Sequence, residues 1–287
     1  MLVNIFCEMD DFCKFLSKET GINFLGCSKK RGRKSKLTWS EILTIIVYYQ
    51  YSGYKTFKHY YINHVQNNLQ KDFNLLVSYN RFVELMQQAS IPLWLYFKLM
   101  GKGECTGISI IDSMKLCVCH IKRCYSHKVF RNLATKGYSS TGWFFGFKIH
   151  FIINNLGEII DIYLTPGNVA DNNWKVIEKI TVNIFGKLVG DKGYIGLFKK
   201  LFNKGIQLIH KIRSNMKNTL MNNFDKWLLR NRGTIESVGN ILKNTFNLEH
   251  TRHRSITSFV TNIFSTLIAY NFKSEKPSFG HFELLND

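Results

Sequence analysis

Acidic residues are scarce in this sequence. The 287 residues include 20 Asp and Glu against 39 Lys and Arg, so the formal net charge is +19 at pH 7. An excess of this size indicates a polyanionic partner, with nucleic acid favoured over a membrane surface. Because carboxylates are few, an Asp at the end of a predicted strand is more informative here than in an average protein.

Long hydrophobic runs are also missing. No stretch of about 18 apolar residues exists, so the sequence predicts no membrane-spanning helix. The apolar start at Met1–Phe6 is followed by Glu8, Asp10 and Asp11, which are not the flanking residues of a signal peptide. We therefore expect a cytoplasmic, nucleoid-associated protein with no membrane partner.

The seven cysteines contain no Cys-x-x-Cys pair. Their odd number and scattered positions favour reduced thiols over a disulfide framework. One cluster contains Cys117, Cys119, His120, Cys124 and His127. Four of these side chains could form a structural zinc site, but Cys-x-Cys is not the usual spacing, and buried or tolerated thiols are the default interpretation.

A basic segment lies between residues 29 and 36. It has six cations in eight positions and no apolar residue. A solvated linker has this composition, and so does an arm that contacts DNA phosphates; the overall charge favours the arm. The six cations are Lys29, Lys30, Arg31, Arg33, Lys34 and Lys36.

The first hundred residues read as helices. An amphipathic pattern runs to about residue 28, and Thr38 with Glu41 predicts a capping box at the start of a second helix. Further helices are expected at about 56–66 and 80–88, closed by Pro92. A helix-turn-helix fits this pattern, as does a small helical bundle that binds nothing. We assign residues 1–104 to an all-α N-terminal DNA-binding region.

Strand patterns begin after that region. They alternate with helices in an order typical of an α/β fold, and we predict a ribonuclease H-like domain with a mixed five-stranded sheet and flanking helices over 105–272. A polar tail, expected to be frayed, follows at 273–287. The predicted strands are Gly107–Ser113, Trp143–Asn154, Glu158–Leu164, Lys187–Val189 and Gln207–Lys211.

Three carboxylates converge in this strand order. Asp112 ends the first predicted strand, Asp191 follows the fourth, and Glu236 lies on a late helix. Three carboxylates brought together repel one another, and hard divalent cations relieve that repulsion. The pattern therefore predicts a magnesium site for in-line phosphoryl transfer, although a lone Asp or Glu is more often a cap or a surface charge.

Several segments together resemble a known family, the DDE-type transposases of bacterial insertion sequences, and most closely insertion sequence family 982. They include acidic motifs, an aromatic strand and a basic segment near the C-terminus. These segments are Asp112-Ser113, Val118-Cys119-His120, Ser139–His150, Thr165–Asn168, Gly190–Tyr194, Ile212–Asn218, Ile235-Glu236 and Glu249–Ser255.

The resemblance implies DNA strand cleavage at element ends and joining of a 3′-hydroxyl to target DNA. It implies that Asp112, Asp191 and Glu236 bind the catalytic Mg²⁺, with Mn²⁺ able to substitute. Double-stranded DNA is the expected partner, bound by a homodimer or higher oligomer, with no small-molecule substrate. Arg232 and Lys243 keep the spacing around the Glu found in many relatives, whereas Leu229 stands where they have Tyr.

DNA contacts are expected from further basic residues outside the 29–36 segment. They are Lys148, His150, Arg232, Lys243, Arg252, His253 and Arg254. Two alternatives stay open at this point. A ribonuclease H-like endonuclease without strand transfer needs the same carboxylates and charge. A non-catalytic DNA-binding descendant of a transposase would have no reason to keep three repelling carboxylates.

Overall fold

The computed structural model describes residues 1–21, 36–73, 75–211, 220–250 and 253–280. The chain forms two compact units. The helical unit comprises Met1–Gly101, Asn244–Leu248 and His253–Lys273. The sheet unit comprises Lys102–Lys243, Glu249–Arg252 and Ser274–Asp287. Among the residues expected to contact DNA, five cations of the basic segment (Lys29, Lys30, Arg31, Arg33 and Lys34) and Arg252 lie outside the described residues.

Helices form all the regular structure described in the helical unit. In α1 the apolar residues recur at helical spacing, and Ile5, Met9 and Phe12 are buried. The helices are α1 Leu2–Thr20, α2 Trp39–Tyr48, α3 Phe57–Tyr60 and α4 Gln66–Asn68 joined by a π-turn at Tyr61–Val65, α5 Tyr79–Gln88, α6 Ser90–Leu99 and, late in the chain, α11 Ile256–Asn271.

The helix ends show where local sequence decides structure. The capping box predicted for α2 is confirmed, because the Thr38 side chain accepts from the Glu41 backbone and the Glu41 carboxylate accepts from the Thr38 backbone. The expectation that Pro92 closes the helices is wrong. Pro92 lies in the first turn of α6, where its missing N–H breaks no helical hydrogen bond.

The last helix, which the sequence places in the catalytic domain, packs with the N-terminal helices. Helix α11 contacts α2, α5 and α6. Its polar groups are paired inside the helical unit: Gln50 Nε2 donates to Ser265 Oγ at 2.9 Å, and Tyr51 Oη donates to the Ala269 carbonyl oxygen at 2.5 Å. The first contact explains why Ser265 is buried although it is polar. Thr261 and Asn262 are buried with partners of their own, because Thr261 Oγ1 donates to the Met86 carbonyl and Asn262 Nδ2 to the Asn247 and Leu248 carbonyls, each at 3.2 Å.

A mixed six-stranded sheet forms the centre of the sheet unit. Neighbouring strands follow the order β2–β3–β1–β5–β6, and β4 also pairs with β3. Strand β3 is antiparallel to β1, β2 and β4, whereas β5 is parallel to β1 and to β6. The strands are β1 Ile108–Cys119, β2 Thr135–Ser139, β3 Gly142–Asn154, β4 Ile159–Pro166, β5 Gly186–Val189 and β6 Ile206–Ile209.

Helices flank this sheet, and the combination fits a ribonuclease H-like α/β fold. Helix α7 packs against β3 and β4, α8 and α9 contact β6, and α10 contacts β1. Ile111 and Ile152 belong to one buried cluster with Ile177 of α7. The flanking helices are α7 Trp174–Ile180, α8 Phe198–Phe202, α9 Asn223–Arg230 and α10 Gly233–Asn240.

Two strand predictions are corrected by the structure. The sheet has six strands rather than five, because residues 135–139, which lie in none of the predicted strands, form β2. Strand β1 does not end at Asp112. It continues to Cys119 because its backbone pairs with β3 over the whole length, from Ser109 opposite Asn154 to Cys119 opposite Phe145. Pairing over that length keeps the chain extended beyond the apolar residues.

The turn between β3 and β4 has a local cause in the sequence. Gly157 has φ 76° in the β3–β4 hairpin, where a residue with a side chain would be strained.

The tail, expected to be frayed, makes contacts in its described part. The Phe279 N–H donates to the Asn155 carbonyl at 2.9 Å, and the Phe279 ring meets Trp227 edge-on at 5.5 Å.

Candidate active site

Two aspartates follow the paired ends of adjacent parallel strands. The last pair between β1 and β5 joins Ile110 and Val189. Asp112 and Asp191 each lie two residues further along, in the same direction. The carboxyl ends of parallel strands meet at one edge of a sheet, so this register brings the two aspartates to the same edge.

Asp112 is partly buried, and its electrostatics are unusual. Burial raises the pKa of its carboxyl from 3.8 to about 6. The Ser113 backbone N–H, which donates to Asp112 Oδ1 at 2.8 Å, and the charge of Arg232 act in the lowering direction. The charges of Glu236 and Asp171 raise the pKa further. Asp112 therefore lies within electrostatic reach of two other carboxylates.

Glu236 approaches this edge on helix α10. Gly239, one turn further along the helix, lies against Met114 and Phe151. Phe151 is the β3 residue opposite Asp112, and Met114 is two residues along β1, so α10 covers the sheet face on which Asp112 lies. The Glu236 carboxylate is exposed and accepts from Arg232 Nη2 at 2.8 Å. Arg232 thus pairs with one carboxylate of the site and stabilises the charge of another.

A fourth carboxylate, Asp171, was missed from the sequence. Its Oδ1 accepts from Ser113 Oγ at 2.6 Å and from Lys148 Nζ at 3.0 Å. Both partners face away from Asp112, because Ser113 alternates with it along β1 and Lys148 belongs to the same face as Ser113. Asp171 lies in the loop between β4 and α7, where no strand or helix pattern draws attention to it.

The donor set suits a hard divalent cation. Carboxylate oxygens are the ligands that Mg²⁺ prefers, and it is normally held by one or two carboxylates plus substrate phosphates. As arranged in the described residues, no three His, Cys, Asp or Glu side chains are close enough together to hold a metal ion. The pKa of Asp112 is raised because its carboxylate is poorly solvated and has neighbouring negative charges.

The sequence of this unit matches a known family. The match is to the family described as "Transposase DDE domain" and extends over residues 102–256, which is just over half of the chain. The chain belongs to the DDE transposase family. This membership supports a function in DNA transposition.

Other comparisons add little to the family assignment. No curated protein matches the chain. A solved structure described as "Crystal structure of the Mos1 Strand Transfer Complex" is 11% identical, with 94% of this chain and 86% of that chain covered and a TM-score of 0.23. A likeness this low carries no argument about the fold or the activity of this DDE transposase-family member.

Among the expected DNA contacts, His150 is corrected by the structure. Its side chain is fully buried in β3, and Nε2 lies 3.0 Å from Thr165 Oγ1. Burial lowers the pKa of its imidazole from 6.5 to about 4, so the ring is neutral at pH 7. Lys148 next to it is 12% exposed and paired with Asp171. Both faces of β3 are covered, which the alternating sequence pattern did not indicate.

Lys243, expected to contact DNA, has its side chain paired inside the sheet unit. Helix α10 ends at Asn240 and continues as a π-turn over Ile241–Thr245, whose wider turn rotates the residues that follow. Lys243 Nζ donates to the Lys115 carbonyl at 2.6 Å and pairs with Glu249 at 2.8 Å. This cation stabilises the sheet unit.

The remaining expected contacts differ in exposure. Lys36 and Arg254 are exposed, and His253 is buried against Phe259, with the rings 5.2 Å apart. The two described exposed cations are available to a polyanion, whereas His253 has the position of a packing residue. Both His253 and Arg254 belong to the helical unit.

The cysteine cluster has the character of structural thiols. Burial and the neighbouring Glu249 raise the pKa of the Cys117 thiol to about 12. Burial also raises the pKa of Cys119. Zinc binds the thiolate form, so these raised pKa values favour the interpretation of neutral thiols.

An exposed aromatic surface on the β2–β3 hairpin was not found from the sequence. Tyr138 and Trp143 are 64% and 66% exposed, lie opposite each other, and have ring centroids 5.3 Å apart. Lys136, on the same face of β2, has Nζ 4.2 Å from the ring centroid of the exposed Tyr125. We call Tyr125, Lys136, Tyr138 and Trp143 the aromatic hairpin surface.

Proposed function

We propose that the chain is a transposase that cuts DNA strands at insertion-sequence ends and joins the 3′-hydroxyl to target DNA by metal-dependent, in-line phosphoryl transfer. The observation that carries the proposal is the register of β1 and β5. It sets Asp112 and Asp191 at one sheet edge, beside the helix that bears Glu236, in a member of the DDE transposase family.

Asp112, Asp191 and Glu236 have the role of metal ligands in this proposal. When bound, divalent ions stabilise the attacking and leaving oxygens of the displaced phosphoryl group, with Mg²⁺ as the natural ion and Mn²⁺ as a substitute. Asp112 contributes a carboxylate that is held rigidly by a strand paired on both sides up to Ile110 and on one side beyond. Such rigidity favours productive geometry.

Arg232 has two tasks in the proposal. In the metal-free protein it neutralises Glu236 through the 2.8 Å ion pair and reduces the repulsion felt by Asp112. With DNA bound, its guanidinium lies close enough to the site to contact a flanking phosphate, for which its fork of donors is suited. The exchange of Glu236 for phosphate frees the carboxylate to act as a ligand.

DNA binding is proposed to draw on two kinds of contact. The excess of positive charge, including the segment at 29–36, holds phosphates and gives a salt-dependent affinity. The aromatic hairpin surface offers exposed rings next to a cation, an arrangement suited to stacking on unpaired bases. We place these bases at the DNA ends that are opened during cleavage.

Two finer assignments belong to the proposal as well. We propose membership of insertion sequence family 982 and action as a homodimer or higher oligomer on DNA, associated with the nucleoid. Light scattering of the protein with and without end DNA tests the assembly: a mass of one chain per DNA end pair would contradict it.

The deciding experiment uses DNA that carries the ends flanking the gene. Purified protein with Mg²⁺ is incubated with labelled, pre-cleaved ends and a supercoiled target plasmid. We expect joined products that depend on a free 3′-hydroxyl. Cleavage without joined products would favour the endonuclease alternative. Binding without any cleavage, in Mg²⁺ and in Mn²⁺, would favour a non-catalytic descendant.

A further inference from the structure

Tyr194 lies where the two aspartate-bearing strands end. It belongs to the 3₁₀ turn Lys192–Leu197 that follows Asp191, and only 2% of the residue is exposed. A Cβ added at Gly190 would come within 3.1 Å of Tyr194 Cδ2 and 3.4 Å of Ile111 Cγ2. The tyrosine ring therefore fills the space beside Gly190 and Ile111, the residues that precede Asp191 and Asp112.

The hydroxyl of this tyrosine is buried and has no hydrogen-bond partner among the described residues. Buried hydroxyls are nearly always paired, because leaving a donor without water or a partner is unfavourable. Other buried tyrosines follow the rule: Tyr60 donates to the Ile45 carbonyl at 3.1 Å, and Tyr61 donates to the Val77 carbonyl at 2.7 Å. The Tyr194 hydroxyl is thus an exception at a functional edge.

Carboxylates surround this hydroxyl electrostatically. Burial raises the pKa of Tyr194 well above its usual range, and the charges of Asp112, Asp171 and Asp191 act in the same direction, against the smaller effect of Arg232. A tyrosine in such surroundings keeps its proton and can only gain by donating it to an oxygen. Three segments of the chain supply the candidate acceptors.

Of these carboxylates, Asp112 is the one that a further hydrogen bond would stabilise most. Asp171 already accepts from Ser113 and Lys148, and Asp191 is exposed to water. Asp112 is partly buried and, within the described part of the chain, accepts one hydrogen bond, from the Ser113 backbone. The Tyr194 ring packs beside Ile111, on the sheet face opposite to Asp112. Strand β5 ends at Val189, so among the described residues no strand covers the edge of β1 beyond Ile110, and the hydroxyl can approach the Asp112 carboxylate around this open edge.

We propose that Tyr194 is a positioning residue whose hydroxyl donates a hydrogen bond to the Asp112 carboxylate when that carboxylate holds a divalent ion. The inference rests on the proposed function, since it concerns the same metal site. Outer hydrogen bonds of this kind orient a ligating carboxylate, and their removal typically lowers metal affinity or activity about 10–100-fold. In the alternative, Tyr194 is a packing residue whose hydroxyl has no task.

The variant Tyr194→Phe, made in the full chain, distinguishes a positioning residue from a packing residue. We expect a metal-free melting temperature equal to or above that of the wild type, because an unpaired buried hydroxyl has been removed. Mn²⁺ affinity, measured by calorimetry and by the metal-induced rise in melting temperature, should fall about 10–100-fold. Tyr60→Phe is the matched control: it loses a real hydrogen bond, so its melting temperature should fall while its Mn²⁺ affinity stays unchanged.

Each other outcome overturns a defined claim. Unchanged Mn²⁺ affinity in Tyr194→Phe, with normal binding by the wild type, overturns this inference and leaves the proposed function intact. A metal-free melting temperature clearly below that of the wild type shows that the hydroxyl already has a partner, and also overturns it. If wild type and Asp191→Asn bind Mn²⁺ equally weakly, the proposed metal site itself is wrong, and the inference fails with it.

Discussion

Replacing Asp112 by Asn should stabilise the metal-free protein at neutral pH. The carboxyl has a pKa of about 6 in the fold against 3.8 as its ordinary value. One pKa unit corresponds to about 1.4 kcal/mol, so the charged carboxylate costs the metal-free fold about 2–3 kcal/mol above pH 6. Asn removes that cost and keeps an oxygen that can accept from the Ser113 backbone.

The sign of the pH dependence follows from proton binding. Between pH 3.8 and about 6 the folded state keeps a proton that the unfolded state has lost, so the stability of the wild type falls as the pH rises through this window. Above pH 6 the destabilisation caused by the Asp112 carboxylate no longer changes with pH. Asp112→Asn lacks this destabilisation. The difference in the free energy of unfolding between the variant and the wild type should therefore grow from near zero at pH 4 to its full size at pH 7.

Urea unfolding at several pH values, with a chelator present, measures the effect. Asp161→Asn is the control, because Asp161 Oδ2 accepts from Lys102 Nζ at 2.7 Å and its loss leaves a mostly buried lysine without that partner. The control should be less stable than the wild type at pH 7. Asp112→Asn with lower stability than the wild type at pH 7, or with a difference that is constant across the pH range, would refute the electrostatic argument.

Three further predictions concern DNA contacts and packing. Neutralising the six cations at 29–36 should flatten the salt dependence of DNA binding by about 0.9 per lost phosphate contact, and an unchanged slope would return this segment to a linker. Trp143→Ala should weaken binding of end DNA with unpaired bases by about 1–3 kcal/mol without changing that slope, and equal losses on fully paired DNA would contradict stacking. Lys243→Ala should lower the free energy of unfolding by about 1–3 kcal/mol, because Glu249 and the Lys115 carbonyl lose a partner. If urea unfolding gives the same free energy for the variant as for the wild type, these contacts do not contribute to stability.

Local signals made part of the fold predictable. The Thr38–Glu41 capping box depends on residues three positions apart and is found as expected. Gly157, with φ 76° in the turn between β3 and β4, is a second feature that depends on its own local sequence. The convergence of Asp112 and Asp191 was expected from the strand order. The parallel pairing of β1 with β5 puts both residues at the same edge of the sheet.

Contacts between distant segments could not be predicted in the same way. Strand β2 is five residues long and depends on pairing with β3, so its own sequence gives little signal. The burial of His150 arises from coverage of both faces of β3. Asp171 reaches Ser113 and Lys148 from a loop, and the π-turn after α10 redirects Lys243. Each of these features depends on tertiary packing.

Cleavage of supercoiled plasmid in Mg²⁺ by Asp191→Asn and Glu236→Gln, measured beside the wild type, tests whether these carboxylates are catalytic. Both residues are exposed in the described structure, so the variants should fold and melt like the wild type. We expect both variants to bind DNA as well as the wild type or slightly more tightly, since a negative charge facing phosphate is gone, and we expect neither to cleave. Cleavage by either variant at the wild-type rate would contradict the assignment of Asp112, Asp191 and Glu236 as the catalytic carboxylates.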